Sequence, residues 1–159
     1  MKAATINELK KELTALPPKQ LVELCLRLAK YKKESKELLT YLIFESDNES
    51  DYIRAIKSDM DVLFEELNMD NYYFAKKGLQ KIVRSISKYI KYSGIKNTEI
   101  EVLMYFCKKM KATGIKIGYS PVIENLYNRQ LTKIKKSISS LHEDLQFDYQ
   151  QEIEQLEEY

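Results

Sequence analysis

Residues 72–93 read YYFAKKGLQKIVRSISKYIKYS, and this stretch decides the fold. Leu79, Ile82, Val83, Ile86 and Ile90 recur at the spacing of one helix face. Lys77, Lys81, Arg84, Lys88 and Lys91 stand 4, 3, 4 and 3 residues apart. At about 100° per residue these cations fall within about ±40° of one line, opposite the apolar arc. The stripe covers about 14 residues, or roughly 21 Å at about 1.5 Å each. Gly94 follows as a left-handed helix stop. A long amphipathic helix is therefore predicted over Tyr72 to Ser93.

The same periodicity continues on both sides. On the C-terminal side a helix is expected from Thr98 to Gly114, with Thr98 and Glu101 as a capping box. Ile115 to Tyr119 reads as a short extended piece, and Ser120-Pro121 as cap and first position of the next helix. That helix runs to about Ser139, with Tyr127, Leu131, Ile134, Ile138 and Leu141 spaced 4, 3, 4 and 3. A last helix, capped by Ser140 with Glu143, directs Leu145, Tyr149, Ile153 and Leu156 inward; continuity with its predecessor stays open.

On the N-terminal side four helices are predicted. The first, Ile6 to Ala15, has a Thr5–Glu8 capping box and the stripe Ile6, Leu9, Leu13 and Leu16. Pro17-Pro18 ends it and starts the second, about Pro18 to Lys32, with Leu21, Leu24, Cys25 and Leu28 on one face. The third, Ser35 to Glu45, is apolar on most sides and is expected to be buried. The fourth, Ser50 to Leu67, carries Ile53, Ile56, Met60, Leu63, Phe64 and Leu67. The expected fold is all-α: a single domain, 1–159, of seven to eight short helices in a bundle or irregular array, with 1–70 and 71–159 as possible sub-bundles. Leu24→Asp and Ile86→Asp are each expected to unfold it, by burying an unpaired charge.

Composition agrees. The chain has 159 residues, 44% apolar and 31% charged, too apolar for a disordered chain. Four Gly and three Pro are too few for the turns of a sandwich or barrel. Charge is segregated: residues 76–116 carry 11 basic and 2 acidic side chains, while 117–159 carry 4 basic and 8 acidic. The opening residues lack the apolar core of a signal peptide, and no apolar run approaches the roughly 18 residues of a membrane span. Cys25 and Cys107, 82 residues apart in apolar helical contexts, read as buried thiols of a reducing, cytoplasmic compartment.

Catalytic signatures are eliminated one by one. His142 is the only histidine, so zinc motifs needing two are excluded, and it reads as a surface or boundary residue. No glycine-rich phosphate loop exists. Asp47, Glu49 and Asp51 open like a calcium loop, but Tyr52 stands where glycine is needed and Ser58 where glutamate is needed. Glu65-Glu66 and the pair Asp59 and Asp61 do not share a helix face, so they read as solvated surface. No catalytic, cofactor-binding or metal-binding residue is assigned. The expectation is no enzyme and no cofactor.

The basic stripe carries the functional expectation. Three readings stand: a solvated face, an internal match to the acidic C-terminal segment (Glu143, Asp144, Asp148, Glu152, Glu154, Glu157, Glu158), or an acidic partner. Candidate partner-binding residues are Lys77, Lys81, Arg84, Lys88 and Lys91, flanked by Tyr73 and Tyr92. The first reading is a helical interaction module with a protein partner of unknown identity, acting through this stripe or through a groove between helices. The alternative is nucleic-acid binding by the stripe, helped by Lys76, Lys108, Lys109 and Lys111. No membrane partner is expected, and the oligomeric state is open.

Two resemblances accompany this reading. Residues 5–28, from Thr5-Ile6-Asn7-Glu8-Leu9 through Leu16-Pro17-Pro18-Lys19 to Arg27-Leu28, are similar to the DNA-binding SAP helix-turn-helix motif, with Pro17-Pro18 where that motif has glycine. The phosphate contacts this implies are Lys10, Lys11 and Lys19. Residues 21–30 (LVELCLRLAK) and 36–44 (KELLTYLIF) are similar to an uncharacterised bacterial all-helical family of this length. That resemblance implies an all-α fold and a bacterial cytoplasmic origin, and carries no site across.

Overall fold

A computed structural model describes residues 2–158. They form eight α-helices: α1 Ile6–Thr14, α2 Pro18–Tyr31, α3 Lys33–Thr40, α4 Glu49–Glu65, α5 Tyr72–Ser93, α6 Lys96–Ala112, α7 Pro121–Ile138 and α8 Glu143–Glu157. A π-helical turn, Tyr41–Glu45, follows α3, and a 3-10 turn, Ile117–Tyr119, precedes α7. No strand occurs among the described residues, so the protein is all-α. The chain separates into two compact units between Phe44 and Glu45. The turn at 68–71 lies inside the second unit.

In the first unit, local chemistry sets the helices. The Thr5 backbone N–H donates to Glu8 Oε2 at 2.7 Å, and the Glu8 N–H donates to Thr5 Oγ1 at 3.3 Å, closing the expected capping box. The Thr5 bonds hold the Glu8 carboxyl below its usual pKa. Pro18 occupies the first position of α2. No residue of α1, α2 or α3 is buried. The buried stripe expected here is not found: Leu24 is 39% exposed and Leu28 65%. Cys25 is exposed as well. Leu42, Ile43 and Phe44 are exposed on the π-turn, so the expectation of a buried third helix is corrected; only Tyr41 is buried there. An apolar circumference buries a helix only where other elements surround it.

In the second unit, α6 is that surrounded helix. Its run Ile100, Val102, Leu103, Met104, Phe106, Cys107 and Met110 is buried, packed by α4, α5 and α7, while Glu101, Tyr105 and Lys108 lie on its more open side. Ile53, Ile56, Met60 and Phe64 of α4 and Leu79, Ile82 and Ile86 of α5 face it from their expected stripes. The Phe64 and Phe106 rings meet at a centroid distance of 5.7 Å. On the far side, α8 lies against α7, where the buried Tyr127 hydroxyl donates to the Leu156 carbonyl at 2.8 Å.

Several helix ends differ from expectation. α6 begins at Lys96, after Ile95. Thr98 is buried and its hydroxyl donates to Glu49 of α4, while Glu101 pairs with Lys57 at 2.8 Å. Tertiary partners have taken both members of the expected cap. Residues 117–119 coil instead of extending. α7 and α8 are separate, and α8 is capped by His142, whose Nδ1 accepts from the Asp144 N–H at 3.4 Å, not by Ser140. Leu145 is 49% exposed, whereas Leu156 is buried as expected. α5 spans Tyr72–Ser93, with Asn71 accepting from the Tyr73 N–H at 2.8 Å and Gly94 at φ +67°.

Candidate functional site

The outer face of α5 carries the stripe. Lys77, Lys81, Arg84 and Lys91 are exposed and Lys88 is half-buried. No carboxylate forms an ion pair with Lys77, Lys81, Arg84 or Lys91 among the described residues. Aromatic rings occupy part of this surface. The Lys77 ammonium stands 4.4 Å from the Tyr73 ring centroid and that of Lys76 stands 5.4 Å away. Lys88 lies 4.9 Å from the centroid of Tyr89, whose ring meets Tyr92 edge-on. Tyr73 is 52% exposed, and Tyr72 and Phe74 beside it are also open.

Two carboxylates of the acidic C-terminal segment are engaged elsewhere. Glu152 pairs with Lys108 of α6, and Glu157 pairs with Lys135 of α7. Lys111 donates to the carbonyl oxygen of Gln155 at 2.6 Å and also to that of Glu158, a cation at the negative end of α8. Lys109 sits 2.7 Å from Asp61, which also accepts from the Tyr105 hydroxyl at 2.7 Å. The Lys109 bond holds the Asp61 carboxyl below the usual range, and Asp61 in turn raises the Tyr105 phenol and the Lys109 ammonium. Of the four expected helpers, Lys108, Lys109 and Lys111 therefore have partners within this unit, and only Lys76 adjoins the stripe.

A feature absent from the sequence reading lies beside the stripe. A cleft of about 840 Å³ opens between α5 and α7, and Arg84 belongs to both. Arg129 and Lys133 of α7, both exposed, add two further cations to its lining. Val83 and Leu126 supply apolar surface, and no acidic or aromatic residue lines it. Gln130 also lines the cleft and is 2% exposed. Its Nε2 donates to the Leu126 carbonyl at 2.9 Å, while its Oε1 has no hydrogen-bond partner among the described residues. A buried acceptor without a donor is uncommon, because removing it from water is not compensated. The signal was present in the sequence as Arg129, Gln130 and Lys133 on α7, but only the packing of α7 against α5 shows that they meet Arg84.

The remaining residues form no comparable site. Lys10, Lys11 and Lys19 are exposed on α1 and α2. Burial pushes the Cys107 thiol up to about 12, which makes it a poor nucleophile. No helix among the described residues is long and apolar enough to cross a membrane. Comparison with protein-family models, curated proteins and solved structures finds no match for the chain.

Proposed function

We propose that the protein is a non-enzymatic helical interaction module that holds an acidic partner protein against the outer face of α5. One observation carries this reading. Lys108, Lys109 and Lys135 are paired with carboxylates, whereas Lys77, Lys81, Arg84 and Lys91 have none among the described residues. Like charges three and four residues apart on one helix repel by a few tenths of a kcal/mol per pair. An acidic partner relieves that repulsion. A partner helix with carboxylates at the spacing of these four cations, 4, 3 and 7 residues or about 7 Å apart on average, meets each in register.

The exposed Tyr73 beside Lys76 and Lys77 favours a second reading, nucleic-acid binding, since a ring next to cations offers a base a stacking surface. Fluorescence anisotropy with labelled polyglutamate and with labelled duplex DNA, each over a salt series, separates the two. The expected result is polyglutamate binding that is lost in the Lys77→Glu/Lys81→Glu/Lys91→Glu variant at an unchanged melting temperature. Binding that survives this reversal sinks the stripe as a docking face. Tighter binding of the duplex, with a log–log salt slope near about −4.5 for five phosphate contacts, transfers the stripe to nucleic acid.

A further inference from the structure

The cleft between α5 and α7 differs chemically from the stripe that borders it. The stripe offers positive charge and the rings of Tyr73 and Tyr89 beside it. The cleft adds apolar surface at Val83 and Leu126 and amides at Gln80 and Asn125. An anion alone leaves the apolar surface of Val83 and Leu126 uncovered and the amide carbonyls without a donor. Nucleic acid fits less well than peptide. No aromatic ring lines the cleft to stack a base, and a phosphate backbone brings no N–H. A peptide brings backbone N–H groups, apolar side chains and carboxylates together. A volume of about 840 Å³ is that of a cleft for a short segment rather than a broad protein face.

We propose that the α5–α7 cleft is a peptide-binding groove taking an acidic segment with an apolar residue at its centre. The proposal rests on the interaction-module reading and names the part of the partner that enters the protein. The apolar side chain lies on Val83 and Leu126. Its acidic neighbours meet Arg84, Arg129 and Lys133. Arg84 fits this role because only its Nε is used internally, donating to the Gln80 carbonyl at 3.3 Å. Its terminal nitrogens are left for a paired contact with a carboxylate.

The test uses the full chain and arrays of short synthetic peptides in which acidic, apolar and neutral polar positions are permuted. Peptides with acids flanking an apolar residue are expected to be retained. Arg129→Gln/Lys133→Gln changes two exposed side chains and is expected to weaken them by about tenfold or more, with unchanged melting. Retention of no acidic peptide overturns the groove, as does retention indifferent to Arg129→Gln/Lys133→Gln. So does displacement of the peptides by a single-stranded oligonucleotide that binds more tightly through the same residues. Peptides lost only in the Lys77→Glu/Lys91→Glu variant remove the groove and leave the stripe standing. Loss of polyglutamate binding to the stripe is a separate result, so the two readings fail separately.

Discussion

Residues 6–40 and residues 96–138 are both built of helices rich in leucine and isoleucine, and they use those residues in opposite ways. In α1, α2 and α3 no side chain is buried. In α6 and α7 sixteen are, including Phe106, Cys107 and Tyr127 at 0% exposure. Amphipathic patterning is no weaker in the first group. What differs is the number of neighbours. α6 is enclosed by α4, α5 and α7. Apolar spacing decides that a segment coils and which face is greasy; burial is then decided by what is brought against that face.

The largest effect that tests this contrast is a matched pair of charge insertions. Ile86→Asp places a carboxylate at a site 2% exposed, with apolar neighbours. It is expected to remove about 4 kcal/mol or more and abolish cooperative melting. Leu24→Asp, at a site 39% exposed, is expected to lower stability by about 1 kcal/mol or less. Chemical denaturation followed by circular dichroism measures both. Equal losses would erase the distinction between the two regions.

The two thiols read the same contrast without mutation. Cys25 is exposed, and Cys107 is buried with its pKa pushed up to about 12. Maleimide under native conditions is expected to add one label, at Cys25. Cys107 is expected to react only through the global unfolding equilibrium, so its labelling tracks the denaturant transition. Two labels at equal rates in intact-mass measurements would show that α6 opens locally.

A smaller effect lies at the end of α5. Gly94 has φ +67° and a Cβ there would meet nothing within 4 Å. Gly94→Ala therefore isolates the backbone term, expected at about 1 kcal/mol from the left-handed conformation alone. A loss several times larger would mean that the α5–α6 junction is held by more than its dihedral angle.

Legibility in the sequence followed the same division. The range of α5 was readable because Asn71, Gly94 and an uninterrupted two-faced pattern mark both ends locally. The start of α6 was not, because Thr98 and Glu101 look like a cap and are used by Glu49 and Lys57 of another helix. Residues 38–44 and 100–107 are both largely apolar, yet only the second run is enclosed. At the candidate site, the stripe was legible because it lies on one helix. Its meeting with Arg129, Gln130 and Lys133 depends on the packing of α5 with α7, which no local pattern encodes.

The smallest effect concerns charge, and it also separates the regions. Asp61, Tyr105 and Lys109 join α4 to α6 in the second unit, whereas the ion pair Lys33–Glu37 in the first lies within one helix. Asp61 is held below the usual carboxylate range, so its contribution is complete above that range and fades as pH falls through its lowered value. Lys109 is raised, so its contribution is complete below the usual lysine range and fades as pH climbs through its raised value. Both side chains are more than a third open to solvent, 37% and 35%, so water screens the pair and its effect stays below that of Gly94→Ala. Asp61→Asn is therefore expected to lower the melting temperature slightly across the neutral range. The gap to the parent protein closes in acid, once Asp61 is protonated in both states. A gap that persists at the acid end would show that the loss does not come from charge, since protonation removes the ion pair from the parent protein as well.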